Sequence, residues 1–230
     1  MQKIILSPPF SNISFYSNVT KIVGSYTLKP RRGLWRVLTT LRFTKLGIIN
    51  RVGLRNPGID KCKDKPNIVS IAALKLGDWD LLLDKLSSYK NILGVEFNIS
   101  CPNASVLGLT SKIIERANSL FDVVIVKVPN LISLKEIDDL MTLGDFILHI
   151  SNTRKLKSGG LSGSLLMRDN INRIKYVKRV SSRAVIAGGG IYSLSDIYTY
   201  RNAGADYFSL STVLLNPFKT KRIIKSFYAR

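Results

Sequence analysis

The chain has 230 residues, 45% of them hydrophobic, and its 35 Lys and Arg against 15 Asp and Glu give a net charge of +20. That length and composition fit one globular domain over residues 1–230 and exclude a disordered chain. Two cysteines and one histidine exclude a disulfide framework and a standard zinc site.

No apolar stretch reaches the roughly 18 residues of a membrane helix, and the run "LFDVVIVKV" is interrupted by Asp122 and Lys127. The N-terminus lacks the apolar region of a secretory signal. A reducing, cytoplasmic setting is therefore expected. The Ser-rich, acid-free start is also compatible with a mitochondrial address.

Strands are predicted at Ile4–Leu6, Ile22–Ser25, Ile68–Ala72, Val95–Ile99, Val123–Val128, Phe146–Ser151, Ala184–Ala187 and Tyr207–Leu210. Helix-period segments follow most of them, at Asp78–Tyr89, Ser111–Leu120, Ser133–Met141, Asn170–Val180, Ser193–Asn202 and Asn216–Tyr228. Ser193 with Asp196 reads as a helix start, and Gly204 as a helix stop. Eight strands with intervening helices predict parallel βαβ units closed into a (β/α)8 TIM barrel, with an open doubly wound sheet as the alternative.

The polar residues gather at the predicted strand ends, where barrel enzymes build their sites. On the fourth strand Val95, Phe97 and Ile99 alternate with Glu96, Asn98 and Ser100, so one row packs under helices and the other faces the barrel mouth. On the fifth, Lys127 shares a row with Val123 and Ile125, a costly position unless an anion or carbonyl meets it. The sixth ends in "SNT", the seventh in "AGGGI" and the eighth in "SLST". Glycines at strand ends let backbone N–H groups approach a phosphate. Taken together these describe a phosphate-bearing cofactor across the strand ends. Taken singly, Gly188–Gly190 also reads as a tight turn and Lys127 as a member of a structural ion pair.

Cys101 stands in "NISCPN", directly after the fourth strand and before a turn, which is a position for chemistry more than for packing. This motif resembles the dihydroorotate dehydrogenase family. The resemblance runs in order from about Ile22 to Phe218 through "NRVGLRNPG", "NISCPN", "VKVPN", "SNT", "GGLSG", "GGGI" and "STVLLNPF". Cysteine within "NISCPN", together with "GGLSG", is most similar to the soluble heteromeric class, in a shortened form.

The resemblance implies an FMN-containing barrel that oxidises dihydroorotate to orotate in pyrimidine synthesis. It implies Cys101 as the general base for the C5 proton, with the flavin as hydride acceptor. Ser25, Asn98, Lys127, Ser151, Gly163, Gly190, Ser211 and Thr212 match cofactor-binding positions. Asn50, Gly53, Leu54, Asn98, Asn103, Asn152 and Thr153 match substrate-binding ones. A thiol with an ordinary pKa near 8.5 is a plausible base near neutral pH. A homodimer or an electron-transfer partner subunit is the expected assembly.

The soluble classes of that family carry a lysine where this sequence has Gly24, and Lys21 and Lys29 are the candidates to replace it. The excursion between "SNT" and "GGLSG" is only "RKLKS". Two further readings stay open: a dihydrouridine synthase-like flavoenzyme, and a degenerate barrel serving as a structural or RNA-bound subunit.

The charge is uneven. The first acidic residue is Asp60, and ten Lys or Arg precede it. This basic N-terminal third reads either as a polyanion or RNA surface or as a bias over solvated faces.

Overall fold

The computed structural model describes residues 1–14, 16–31, 33, 41–44, 47–50, 53–65, 67–99, 108–151, 154–156 and 159–229. Twelve strands are formed among them: β1 (Ile4–Leu6), β2 (Thr20–Tyr26), β3 (Arg42–Thr44), β4 (Gly47–Asn50), β5 (Ile68–Ile71), β6 (Gly94–Asn98), β7 (Val123–Val128), β8 (Ile147–Ile150), β9 (Arg154–Leu156), β10 (Gly159–Ser162), β11 (Val185–Gly188) and β12 (Tyr207–Leu210). The helices are α1 (Asp78–Ser87), α2 (Ser111–Leu120), α3 (Leu134–Met141), α4 (Leu166–Val180), α5 (Leu194–Asn202) and α6 (Pro217–Tyr228).

Eight strands close a barrel in the order β1-β12-β11-β8-β7-β6-β5-β2, each parallel to its neighbours. The predicted TIM barrel is the observed fold, and the open sheet is excluded. The apolar rows explain the closure. Val95 and Phe97 of β6 and Val124, Val126 and Val128 of β7 belong to the large core between strands and helices. There Trp79 of α1 meets Phe97 edge-on, with ring centroids 5.3 Å apart.

The opposite row fills the barrel. Ile5, Ile22, Ile68, Ile125 and Ile186 form a separate interior cluster, an aliphatic plug of the kind that makes such a barrel a packed core. Toward the C-terminal strand ends the same rows turn polar: Ser7, Ser70, Glu96, Asn98, Lys127, His149, Ser151 and Ser209 are all buried.

Helix starts follow the local chemistry. Ser133 and Glu136 close a capping box on α3, Ser193 caps α5, and Asn216 caps α6 ahead of Pro217. Two predicted helices have other limits: α1 ends at Ser87, two residues early, and α4 begins at Leu166, a turn before Asn170.

The second sheet was not anticipated. Its antiparallel order is β3-β4-β10-β9. It is built from the connection that leaves the C-terminal end of β2 and the one that leaves the C-terminal end of β8. These two strands sit opposite each other in the barrel ring. The pairing of Ile49 with Leu161 therefore ties the two connections together across the mouth side. "GGLSG", expected as a phosphate loop, contributes strand β10, with Gly163 just beyond it.

Candidate active site

The polar layer is organised around Glu96. Register aligns Ser70 with Glu96, Asn98 with Lys127, and Lys127 with His149, so four neighbouring strands deliver their inward side chains to one end of the barrel. Glu96 and His149 are wholly buried, and Lys127 is 8% exposed.

Glu96 accepts from Ser70 Oγ at 2.7 Å, and its second oxygen lies 2.6 Å from His149 Nδ1. Ser70 Oγ is 2.7 Å from Ser25 Oγ, and Asn98 Nδ2 donates to Ser25 Oγ at 2.7 Å. Burial alone would push the Glu96 carboxyl up. The Lys127 charge and the hydrogen bonds donated by His149 and Ser70 more than offset it and hold the group down at about 2. Burial likewise keeps His149 below its ordinary range, against the opposing pull of Glu96. A carboxylate beside a neutral imidazole is the consistent state: Nδ1–H donates, and Nε2 is an acceptor with no partner among the described residues.

At the end of β11, two strands from β7, the glycine turn is closely packed. A Cβ on Gly188 would lie 2.4 Å from Ser151 Oγ and 2.9 Å from Ser209 Cβ. Gly190 has φ +80°, and a Cβ there would lie 2.9 Å from the Gly163 carbonyl oxygen. The "GGGI" and "GGLSG" segments thus approach each other closely. Their support is specific: Asn170 Nδ2 donates to Gly188 O at 2.9 Å, Asn130 Nδ2 donates to Asn170 Oδ1 at 3.0 Å, and Tyr200 OH bonds the carbonyls of Gly188 and Gly189.

The expected residues fall into three groups. Ser25 and Asn98 are hydrogen-bonded to each other at the barrel mouth, Lys127 is level with Asn98, Ser151 follows β8, and Gly163 and Gly190 approach each other beyond β10 and β11. Ser211 and Thr212 follow β12, where Ser211 Oγ donates to Pro8 O at 3.1 Å and Thr212 Oγ1 accepts from Tyr192 OH at 2.7 Å. Gly53 is exposed with φ +60°, while Leu54 is buried against Ala72, just beyond β5. That loop is pinned by buried Asn56, which bonds Thr27, Gly58 and the Leu54 carbonyl. Asn50 ends β4 opposite Gly160. Cys101, Asn103, Asn152 and Thr153 lie outside the described residues.

Sequence reasoning missed the Glu96–His149 couple. Both stand at inward positions of their strands, but only Glu96 was read that way. Lys21 does not replace the family lysine at the mouth. It pairs with Leu6 just before Ile22 meets the first residue of β5, and it feels Lys65 in the connection leading into that strand, at the opposite end of the barrel. Lys29 is an exposed residue beyond β2.

A closed parallel barrel with a buried lysine, a carboxamide and a glycine turn at its strand ends defines the class as a TIM barrel with a polar layer at the C-terminal ends of its strands. The chain is similar in sequence to curated dihydroorotate dehydrogenases. It is 25% identical to the catalytic subunit of dihydroorotate dehydrogenase B (NAD(+)) from Bacillus pumilus, over 89% of this chain and 77% of that protein. It is 28% identical to the subunit of the same name from Desulforudis audaxviator, over 85% of this chain and 75% of that one. The crystal structure of Eimeria tenella DHODH in complex with ferulenol shares the fold, with a TM-score of 0.72 and 18% identity over 96% of this chain and 79% of the other. No protein-family model matches the chain. Among the described residues, no helix is long and apolar enough to cross a membrane, and no cluster of metal-ligating side chains occurs.

Proposed function

We propose that this chain is an FMN-dependent dihydroorotate dehydrogenase, oxidising dihydroorotate to orotate. The observation that carries the reading is the buried Lys127, level with Asn98 on one side and with His149 on the other at the C-terminal ends of the strands. Its ammonium already feels the Glu96 carboxylate, and its place at a strand end lets it also meet an anionic or carbonyl group of a ligand. The similarity to proteins named as dihydroorotate dehydrogenase catalytic subunits supports the choice of chemistry.

The residues present fit FMN. Gly163 and Gly190 would hold the phosphate through backbone N–H groups, and a side chain at Gly190 would collide with the Gly163 carbonyl that lies beside it. Ser211 and Thr212 would stand beside them. Lys127 would sit at the electron-rich edge of the ring, with Ser25 and Ser151 beside it. When bound, FMN supplies the two-electron acceptor of the reaction.

The chain's own residues do the rest. Cys101 follows the end of β6 by three positions and takes the C5 proton as a thiolate. Asn98, with Asn50, Asn103 and Asn152, holds the substrate ring and carboxylate, and Gly53, Leu54 and Thr153 line the same pocket. The test is direct: the purified protein should be yellow, and dihydroorotate should bleach it without oxygen. Protein that stays colourless after incubation with FMN overturns the reading.

A second property is favoured by an independent observation. Residues 1–59 and 207–230 contain no Asp or Glu and carry fifteen Lys and Arg. The barrel brings the two stretches together, because β1 pairs with both β12 and β2, and Ile4 N donates to Tyr228 OH of α6 at 3.2 Å. We infer a polyanion-binding sector, with RNA as its candidate ligand. A soluble partner subunit or a second copy would supply the assembly.

A further inference from the structure

We propose that Glu96 is a positioning residue that dictates which end of the Asn98 carboxamide faces the ligand, through a one-way chain of hydrogen bonds. The inference deepens the proposed function, since it rests on Asn98 as a ligand contact.

The chain runs Asn98, Ser25, Ser70, Glu96. Its direction follows from counting protons. A carboxylate can only accept. Glu96 Oε2 takes the Nδ1 proton of His149, and Oε1 takes the single hydroxyl proton of Ser70 at 2.7 Å. Ser70 Oγ therefore has only lone pairs left for its 2.7 Å contact with Ser25 Oγ, so Ser25 must be the donor there. With its one proton spent, Ser25 Oγ must accept from Asn98 at 2.7 Å. Only the amide nitrogen can donate, so Nδ2 is turned toward Ser25 and Oδ1 away from it. An asparagine amide is nearly symmetric in shape, and its neighbours decide its orientation. Here the deciding group is a buried anion three hydrogen bonds away.

The arrangement is built to be unambiguous. Ser70 and Glu96 are both fully buried, which removes competing water from the middle of the chain. The Lys127 charge and the hydrogen bond donated by His149 keep Glu96 anionic, which removes the competing donor state. An amide at position 96 would undo this. Its N–H could donate to Ser70, Ser70 to Ser25, and Ser25 to Asn98 Oδ1, and the carboxamide would turn over.

The experiment reads the protein without ligand, by NMR. The Asn98 side-chain NH2 pair is assigned by its loss in Asn98→Asp, and His149 is the single histidine of the chain. In the wild type the Asn98 pair should exchange slowly, and His149 should carry its proton on Nδ1. Ser70→Ala cuts the chain but leaves Glu96 in place. It should shift the Asn98 pair and speed its exchange about tenfold, the worth of one hydrogen bond, with the His149 tautomer unchanged. Glu96→Gln should move both signals. The double variant should match Ser70→Ala at Asn98, because a cut chain no longer transmits the state of residue 96.

An Asn98 pair indifferent to Ser70→Ala overturns the proposal. So does a Glu96→Gln effect that persists at full size in the Ser70→Ala background. Ser70→Ala retains the buried charges and decides the matter even if Glu96→Gln fails to fold. In a parallel titration, Ser70→Ala should bind orotate about tenfold more weakly than the wild type. Equal orotate affinity in the two proteins overturns the positioning role. A wild type that binds neither FMN nor orotate sinks the functional reading instead, and the amide signals still decide the hydrogen-bond chain.

Discussion

A Cβ placed on Gly24 would lie 2.5 Å from the backbone oxygen of Ser70, and Gly24 has φ +114°. Both facts demand glycine, because the atom in the way is main chain and L side chains avoid that φ. The register between β2 and β5 also shifts between Val23 and Tyr26, around this residue. The lysine expected here from the resembled soluble classes therefore does not fit this backbone. Gly24→Lys is expected to destabilise the protein and not to improve turnover. Strain of about 1–3 kcal/mol would lower the melting temperature by about 2–4 °C per kcal/mol. Gly24→Ala should show most of the same loss. A Gly24→Lys protein that melts like the wild type and turns over faster would mean that the loop adopts another path.

Acid should weaken the fold from mildly acidic pH downward. His149 is depressed from 6.5 and Glu96 from 4.5 to about 2. Each group thus binds fewer protons folded than unfolded between its two pKa values, so stability falls as pH falls. The His149 contribution is present above pH 6.5 and starts to be lost below it. The Glu96 contribution is present above pH 4.5 and is lost toward about 2. Each full proton is worth about 1.4 kcal/mol per pH unit. Denaturant melts at pH 7, 6 and 5 should show the first loss, and His149→Gln should flatten it. An equal slope in that variant would assign the loss to other groups.

The local pattern made most of the barrel legible, and it stopped where partners are distant. In β6 the alternation of Val95 and Phe97 with Glu96 and Asn98 correctly separated outward from inward side chains, because the period of two is a property of four adjacent residues. β7 and β12 matched residue for residue. His149 was visible only as an isolated titratable group. Its meaning depends on Glu96, 53 positions away and two strands over in the barrel. The antiparallel sheet was hidden for a related reason. Its strands are three or four residues long, and they pair Ile49 with Leu161 across more than a hundred residues. Nothing in such short segments specifies the partner.

The two cysteines should separate cleanly by reactivity. Cys62 is 7% exposed in the apolar core, and burial pushes its thiol up to about 11. A thiolate is the reactive form, so Cys62 should resist alkylation near neutral pH. Under the proposed mechanism Cys101 is the one modified, and bound orotate should protect it. Cys101→Ala should abolish flavin bleaching by dihydroorotate while FMN stays bound. Cys101→Ser should retain part of the rate with its pH optimum displaced upward, because an alcohol is a far weaker acid than a thiol. Loss of activity tracking Cys62 modification, or full bleaching by Cys101→Ala, would remove Cys101 from the role of base.

The acid-free sector makes a prediction in which dihydroorotate plays no part. Of the net +20, the fifteen cations of residues 1–59 and 207–230 account for +15, and the intervening residues for only +5. Lys219, Lys221, Arg222 and Lys225 of α6 are exposed, as are Lys29 and Arg42. The two stretches are neighbours only because β1 joins them, so the field of one adds to that of the other. Single-stranded RNA should bind with affinity falling steeply with salt, by about 0.7 in the log–log slope for each phosphate neutralised. Serine at the four α6 positions should lower that slope by up to about 3, and serine at Arg31, Arg32 and Arg36 should lower it further. The measurement is RNA affinity at several salt concentrations for the wild type and the two variants. A slope near zero, or one that neither variant changes, would reduce the sector to solvated charge with no polyanion partner.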